Sequence, residues 1–598
     1  RRVRMDDWAT RALTSPHAKL VIFCFAMLLT SSYLALSGTG DDDFHAVAAR
    51  ANGQLPSVHR EAWDLFAFAT PATNQAMVED GIFPWWTDPQ LTIAFYRPLS
   101  SLTTWLDHRF WPERPALMHL HSMLWFALLL GSVTLVYRAL SLSSRHAALA
   151  LFFYAVDDAR SMPVAWLAQR NALIALAPAF LSLLAHHRFR QTGRARFALL
   201  GVTALAVGFQ GGESALSVCG YLIAYALTFD EKGTLARRLL ALWPYLTTVV
   251  LWRIVYVMLE RGAMNSGIYI DPGRDPLVFL RHLCVRLPVL LLGQFALPFS
   301  DLWEAYPLIA SWLRPTVLCM AVLVLYGLWT LLRPLLREHK LLRFWLVGCV
   351  LATIPVCGVH PEDRMLTATS LGSAQLIASF VLSVLDASYP RRSLVVLSSG
   401  ALLLVIHGLF APLTLPLRSF DIYAMERLMR HSDRSIPHGP QAKQQTVVLI
   451  NPPVDVFAIY FSVYRASRQL ELPGHLRWLA TGESELEVAR VDEHSLKLRP
   501  ALGYLATATQ LMFRRPDRPI TSDQIIRLDG VSYQVTEQTS DGRPAELLVR
   551  FDRPLESPEF RWLQWGKHEY VPFTLPAVGQ RVVLPKADLG ALFENPAG

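Results

Sequence analysis

Residues 116–136 read ALMHLHSMLWFALLLGSVTLV, a run with no Asp, Glu, Lys or Arg. As a helix it rises about 31 Å at 1.5 Å per residue, which matches the roughly 30 Å of a bilayer's hydrocarbon core. Ten further apolar runs flank it: Leu20 to Leu36, Leu142 to Val156, Ala172 to Ala185, Phe197 to Gly208, Ala215 to Leu227, Leu239 to Leu259, Pro315 to Leu332, Phe344 to Gly358, Leu366 to Leu385 and Leu394 to Ala411. Eleven candidate spans result. Several fall short of about 20 residues, so their helices extend into polar flanks or end in a protein-lined cavity. The composition of the 598-residue chain agrees, with 52% hydrophobic and 17% charged residues where a soluble domain carries roughly a quarter charged. A purely cytosolic enzyme is excluded. The net charge of +8 is read as a topology signal rather than as a nucleic-acid footprint.

Basic residues cluster at Arg1 to Arg11, Arg138 and Arg145, Arg188 to Arg196, Lys232 to Arg238, Arg333 to Arg343, and Arg391 and Arg392. These clusters occupy alternate connections, so a cytoplasmic N-terminus places all of them inside. The count requires Leu287 to Phe299 to be re-entrant or interfacial. Leu20 to Leu36 is expected to stay as an uncleaved anchor, being long for a signal segment. The outside then holds a long first loop, 38–115, the connections near Asp157, Glu213 and His360, and everything beyond Pro412. The six cysteines all lie in or beside apolar runs without CxxC spacing and read as small core residues. Arginine outnumbers lysine 49 to 7, a bias that points to a bacterial inner membrane with the C-terminal part periplasmic.

From about Leu417 period-two strands appear, such as Thr446 to Ile450, Glu485 to Arg490 and Ala545 to Phe551, with a helical stretch at Val454 to Leu470. Asp529-Gly530 and Asp541-Gly542 mark turns. The expected architecture is a mainly α polytopic domain, 1–416, followed by a soluble mixed α/β, strand-rich domain, 417–598. Trp562 and Trp565 of that domain are expected in its core.

Chemistry-bearing residues gather on the expected outer side. Asp41, Asp42 and Asp43, with His45, follow the first span. Adjacent carboxylates repel one another, and partial desolvation raises at least one pKa, which suits a general base. The same loop holds Tyr96 and Arg97, and His119 leads into the second span. Asp157, Asp158 and Arg170 lie in the third connection, Glu213 ends the fifth span, and Asp363 and Arg364 precede the tenth. Arg253 lies in the outer part of the seventh, and an intramembrane charge is a functional candidate by default. Carboxylates beside arginines suit a reaction in which an acid activates a hydroxyl while cations stabilise a phosphate leaving group.

In this order the motifs resemble those of the GT-C superfamily of polytopic glycosyltransferases, and within it the transmembrane O-mannosyltransferases that carry tetratricopeptide repeats. The likeness runs from about Leu20 to Leu385. It rests on the acids at Asp41 to Asp43, a YRPL element at Tyr96 to Leu99, Pro115 with His119, Arg170, Glu213, and an acid-Arg-x5-Ser-x-Gly pattern at Asp363, Arg364, Ser370 and Gly372. The chain departs from the pattern at Gly212 and Thr367 and lacks the repeats.

The resemblance implies an inverting hexosyl transfer from a polyprenyl-phosphate sugar, a lipid-linked donor, to a protein or glycan acceptor on the non-cytoplasmic face. Asp42 is preferred as base, with Asp41 and Asp43 tuning or positioning it. Arg364, Arg97, Arg170 and Arg253 would hold the donor phosphate, supported by Tyr96, His45, His119, Asp157, Asp158, Glu213 and Asp363. No cofactor is required and no metal site is expected, although Asp41 to Asp43 with His45 offer a place for a divalent cation. Two rivals stand beside this reading: a transporter or lipid flippase, disfavoured by the absence of an internal repeat, and a non-catalytic GT-C-like scaffold.

Overall fold

The computed structural model describes residues 13–36, 42–50, 53–304, 310, 312–390, 393–418, 420–436, 438–588 and 590. Asp41 and the basic residues Arg1 to Arg11, Arg391 and Arg392 lie outside them. The chain forms two compact units: Arg1–Ser37, Tyr96–Glu260 and Asp271–Asp421 make the first, and Gly38–Phe95, Arg261–Ile270 and Ile422–Gly598 the second.

The first unit is helical. Among the described residues seven helices are long and apolar enough to cross a membrane: Ala18–Ala35, Pro115–Ala139, Leu167–Thr192, Pro276–Phe295, Leu313–Glu338, Lys340–Gly358 and Leu394–Arg434. Their outward faces carry Leu277, Leu323 and Leu394, each at least 70% exposed, and lipid is the solvent in which such exposure costs least. The remaining expected spans are helical but shorter, among them Ser144–Val156 and Trp243–Met258. Leu287 to Phe299 differs from expectation. Most of it is the second half of a 20-residue helix, Pro276–Phe295, that meets the length and hydropathy of a span. Arg281 and Arg286 interrupt the apolar run in the sequence, but Arg286 is buried and donates to the Cys357 carbonyl at 3.0 Å.

The second unit contains three sheets. Thr446–Leu449 runs parallel to both Phe560–Trp565 and His475–Trp478, and the helix Val456–Ser467 makes the crossover to the latter strand. A six-stranded antiparallel sheet follows the order Arg581–Leu584, Leu486–Arg490, Ser495–Pro500, Pro544–Phe551, Val531–Gln538, Ile525–Leu528. Asp529-Gly530 closes its last hairpin, with Gly530 at φ 75°, a left-handed conformation suited to glycine. Trp562 and Trp565 are buried.

The expected first loop divides at Phe95: residues 38–95 belong to the second unit. The reason is an apolar core of its own. Thr92–Ala94 pairs with Ala67–Ala69 and Gly262–Met264 in the third sheet. Trp85 stacks on Tyr533 at 5.5 Å, and Trp86, fully buried, packs edge-on against Trp478 at 5.1 Å. Trp86→Ala is expected to destabilise this unit by about 3–5 kcal/mol; a thermal melt within a degree of the parent would show that the loop is not part of its core.

Candidate functional site

In the first unit the connection from Asp157 to Arg170 gathers most of the polar groups. Asp157 caps a 3-10 turn by accepting from the Ala159 N–H at 3.0 Å. That turn presents Arg160, wholly buried, to Asp157 Oδ2 at 3.3 Å and to the Ser370 hydroxyl. Ser370 donates to Gln294 Oε1 at 2.7 Å, and Gln294 Nε2 returns to Asp157 Oδ2 at 3.2 Å. Four side chains, from the 157–160 turn and two helices, are thereby locked together.

Beside them Arg418 is held by three carboxylates. It donates to Asp158 at 2.9 Å and to Asp363 at 3.4 Å, and is paired with Asp301. Burial and the neighbouring Asp157 charge push Asp158 up to about 7. Burial, followed by the Asp301 charge, holds Asp363 well above the usual carboxylate range. Arg418→Gln would leave these acids without their cation, a loss of about 3 kcal/mol for a broken buried pair. The deficit is expected to be smaller below about pH 7, where Asp158 holds its proton with or without Arg418, and to grow above it as Asp158 ionises in the parent. Melting of parent and variant at about pH 8 and about pH 5.5 checks this; equal deficits at both would contradict it.

Arg170 opens its helix with one nitrogen on Asp107. The other Asp107 oxygen meets His121 Nδ1 at 2.7 Å, and Trp125 donates to His121 Nε2 at 3.1 Å, which leaves the imidazole proton on Nδ1. Arg97 Nε donates to Glu213 at 2.7 Å, Tyr256 donates to the other Glu213 oxygen at 3.0 Å, and Tyr96 donates to Gln210 at 3.3 Å. At Gly212, φ 157°, the position of a Cβ would lie in ordinary contact 3.4 Å from Asn171 Oδ1 and 3.5 Å from Arg97 Nε. The Arg97 and Arg170 segments thus converge on that glycine. Arg253 pairs with Asp271 at 2.6 Å and lies 5.6 Å from the Tyr256 ring centre.

Arg364 is paired with Glu362 and stacks 4.7 Å over the Trp166 ring. Burial works against ionised Glu362, but Arg364 and His360 together hold it down at about 2. His119 is buried in its helix.

Arg160 and Arg170 are more deeply buried than these arginines. Both are at most 1% exposed, yet Nε and Nη1 of each have no hydrogen-bond partner among the described residues. A buried N–H left unmet costs ~1–3 kcal/mol, so these four donors favour an oxygen-rich anion. The sequence reading passed over Arg160, although its place three residues after Asp157 was a visible signal. It also passed over Asp107, Gln294, Asp301 and Arg418.

The acids following the first span lie in the second unit. Asp42, 1% exposed, stands at the start of the helix Asp43–Ala48. Asp43 Oδ1 accepts from Ser467 Oγ and from Arg468 Nη1, each at 2.9 Å. Burial raises the Asp43 pKa while Arg468 opposes it. His45 is buried with its ring 4.8 Å from that of Phe66. Among the described residues no group of three or more His, Cys, Asp or Glu is arranged to hold a metal ion.

No protein-family model matches the chain, and no curated protein matches it. Three solved structures are similar to it. The Archaeoglobus fulgidus oligosaccharyltransferase in the apo form is 11% identical over 79% of this chain and 65% of its own, with a TM-score of 0.37. The archaeal oligosaccharyltransferase AglB from the same organism, in complex with an inhibitory peptide and a dolichol-phosphate, is 12% identical over 75% and 64%, with a TM-score of 0.40. ArnT from Cupriavidus metallidurans in the apo state is 13% identical over 74% and 84%, with a TM-score of 0.34. All are GT-C glycosyltransferases. The chain spans just under two thirds of the length of the first two.

Proposed function

We propose that this chain is a membrane glycosyltransferase that takes a sugar from a polyprenyl-phosphate donor and delivers it to a hydroxyl of a protein or glycan acceptor. The observation that carries the reading is the two buried guanidinium groups of Arg160 and Arg170, with four donor nitrogens unmet among the described residues. A phosphate supplies oxygen acceptors in the planar, paired geometry that guanidinium prefers. Seven helices of membrane-crossing length suit a donor whose chain stays in lipid.

In the proposed reaction the acceptor oxygen attacks the anomeric carbon and the bond from that carbon to the phosphate oxygen breaks, with its electron pair leaving on the phosphate. The acceptor proton passes to Asp42. Asp43, whose Oδ1 accepts from Ser467 and Arg468, is the second candidate. Arg170 and Arg160 stabilise the charge that develops on the phosphate. Arg97, Arg253 and Arg364, each paired with a carboxylate as Arg160 and Arg170 also are, are the further candidates for holding the phosphate. Following the motif resemblance, we assign the transfer to the inverting class and to the non-cytoplasmic face of a bacterial inner membrane.

Lipid-linked sugars from a deletion strain test the proposal. Accumulation of one polyprenyl-phosphate sugar, reversed by the intact gene and not by an Asp42→Asn copy, is the expected result. An unchanged lipid-linked pool would contradict it.

A further inference from the structure

At the other end of the Arg170–Thr192 helix lies a groove of about 290 Å³ lined by Phe189, Ala198, Arg237, Leu240, Trp243 and Tyr245 among others. Phe189 is nineteen residues from Arg170, or about 28 Å along the helix axis, so the groove is separate from the guanidinium pair by nearly a membrane's thickness. Its wall is the short helix Leu235–Leu240, whose start is capped by the Thr234 hydroxyl. Leu235, Leu239, Leu240 and Trp243 are 41–67% exposed, and they alternate with Arg237 and Arg238. Exposed leucines and a tryptophan beside arginines mark a segment lying at a membrane–water boundary.

The charge there is one-sided. Arg188, Arg194, Arg196 and Arg237 are exposed and make no ion pair among the described residues. The two acids of the adjoining loop are already used, Asp230 by Arg190 at 2.6 Å and Glu231 by Lys340 at 2.5 Å. Tyr245 is 3% exposed, and its hydroxyl has no partner among the described residues. An apolar trough, an uncompensated arginine in its wall and a buried unmet hydroxyl together describe a binding site for an amphiphile with a negative head.

We propose that this groove binds an anionic phospholipid, with an acyl chain against Phe189, Ala198 and Leu240 and the headgroup phosphate on Arg237. Basic pockets between membrane helices select such lipids by charge. The site does not depend on the transferase reading, since it requires neither Asp42 nor the guanidinium pair.

The test titrates a fluorescent-acyl phosphatidylglycerol into the delipidated full chain in a neutral detergent. Saturable binding is expected, displaced by phosphatidylglycerol but not by phosphatidylcholine or inorganic phosphate. Arg237→Gln, an exposed change, is expected to weaken binding about tenfold with the melting temperature unchanged. Ala241→Phe, which narrows the groove without touching its charge, is expected to weaken it as well, while Arg238→Gln, whose Nε is turned to the Gly233 carbonyl, leaves it intact. Equal displacement by phosphatidylcholine, displacement by inorganic phosphate, or parent-like affinity in Arg237→Gln would overturn the proposal.

Discussion

Replacing Asp42 by asparagine is expected to lower sugar transfer by at least about a hundredfold, the usual scale for loss of a general base, while leaving the melting temperature close to the parent's. The carboxamide keeps the shape of the carboxylate and removes its ability to take a proton. Asp42 is buried at the head of its helix, so an isosteric change tests chemistry with little change in packing. Asp43→Asn is expected to behave differently. Its carboxylate holds Arg468 and Ser467, and its loss leaves Arg468 with a weaker set of partners, so stability falls along with any change in rate. Transfer measured on protein of verified fold separates the two. Full activity in Asp42→Asn would remove the proposed base.

Arg170→Lys carries the second large effect. Lysine restores the positive charge near Asp107 but provides a point charge in place of a planar fork. The two guanidinium nitrogens that find no partner among the described residues disappear with the substitution. If those nitrogens hold donor phosphate, transfer falls about 10²–10³-fold, as when a preorganised donor to developing charge is removed, and affinity for polyprenyl phosphate falls with it. If Arg170 serves only to pair Asp107, Lys preserves most of that pairing and activity survives. Arg160→Lys is a parallel test at a position held by Asp157 and Ser370.

The helical frame was legible because apolar runs of membrane length leave little choice of structure, as at Ala116 to Val136. The hairpin at Asp529-Gly530 was legible for an equally local reason. The fate of the first loop was not. The core there rests on long-range partners, Thr92–Ala94 with Gly262–Met264, Trp85 with Tyr533 and Trp86 with Trp478, which no local pattern announces. Of the candidate site, individual residues were visible but their partners were not. Arg364 was the leading phosphate ligand from its motif, and the fold pairs it with Glu362 two residues earlier. Arg160 was not singled out, and its significance comes from its burial and from a partner, Ser370, far along the chain. Arg418 falls just beyond the last apolar run, where an arginine ordinarily reads as a membrane anchor, yet three carboxylates from separate connections converge on it.

The most direct measurement is equilibrium binding of labelled polyprenyl phosphate to the purified full chain in lipid nanodiscs, compared between the parent, Arg170→Lys and Arg160→Lys. The account predicts saturable binding to the parent and at least about tenfold weaker binding to both variants, the scale of one lost charge-assisted hydrogen bond, with melting temperatures held. Parent-like affinity in both folded variants would contradict it.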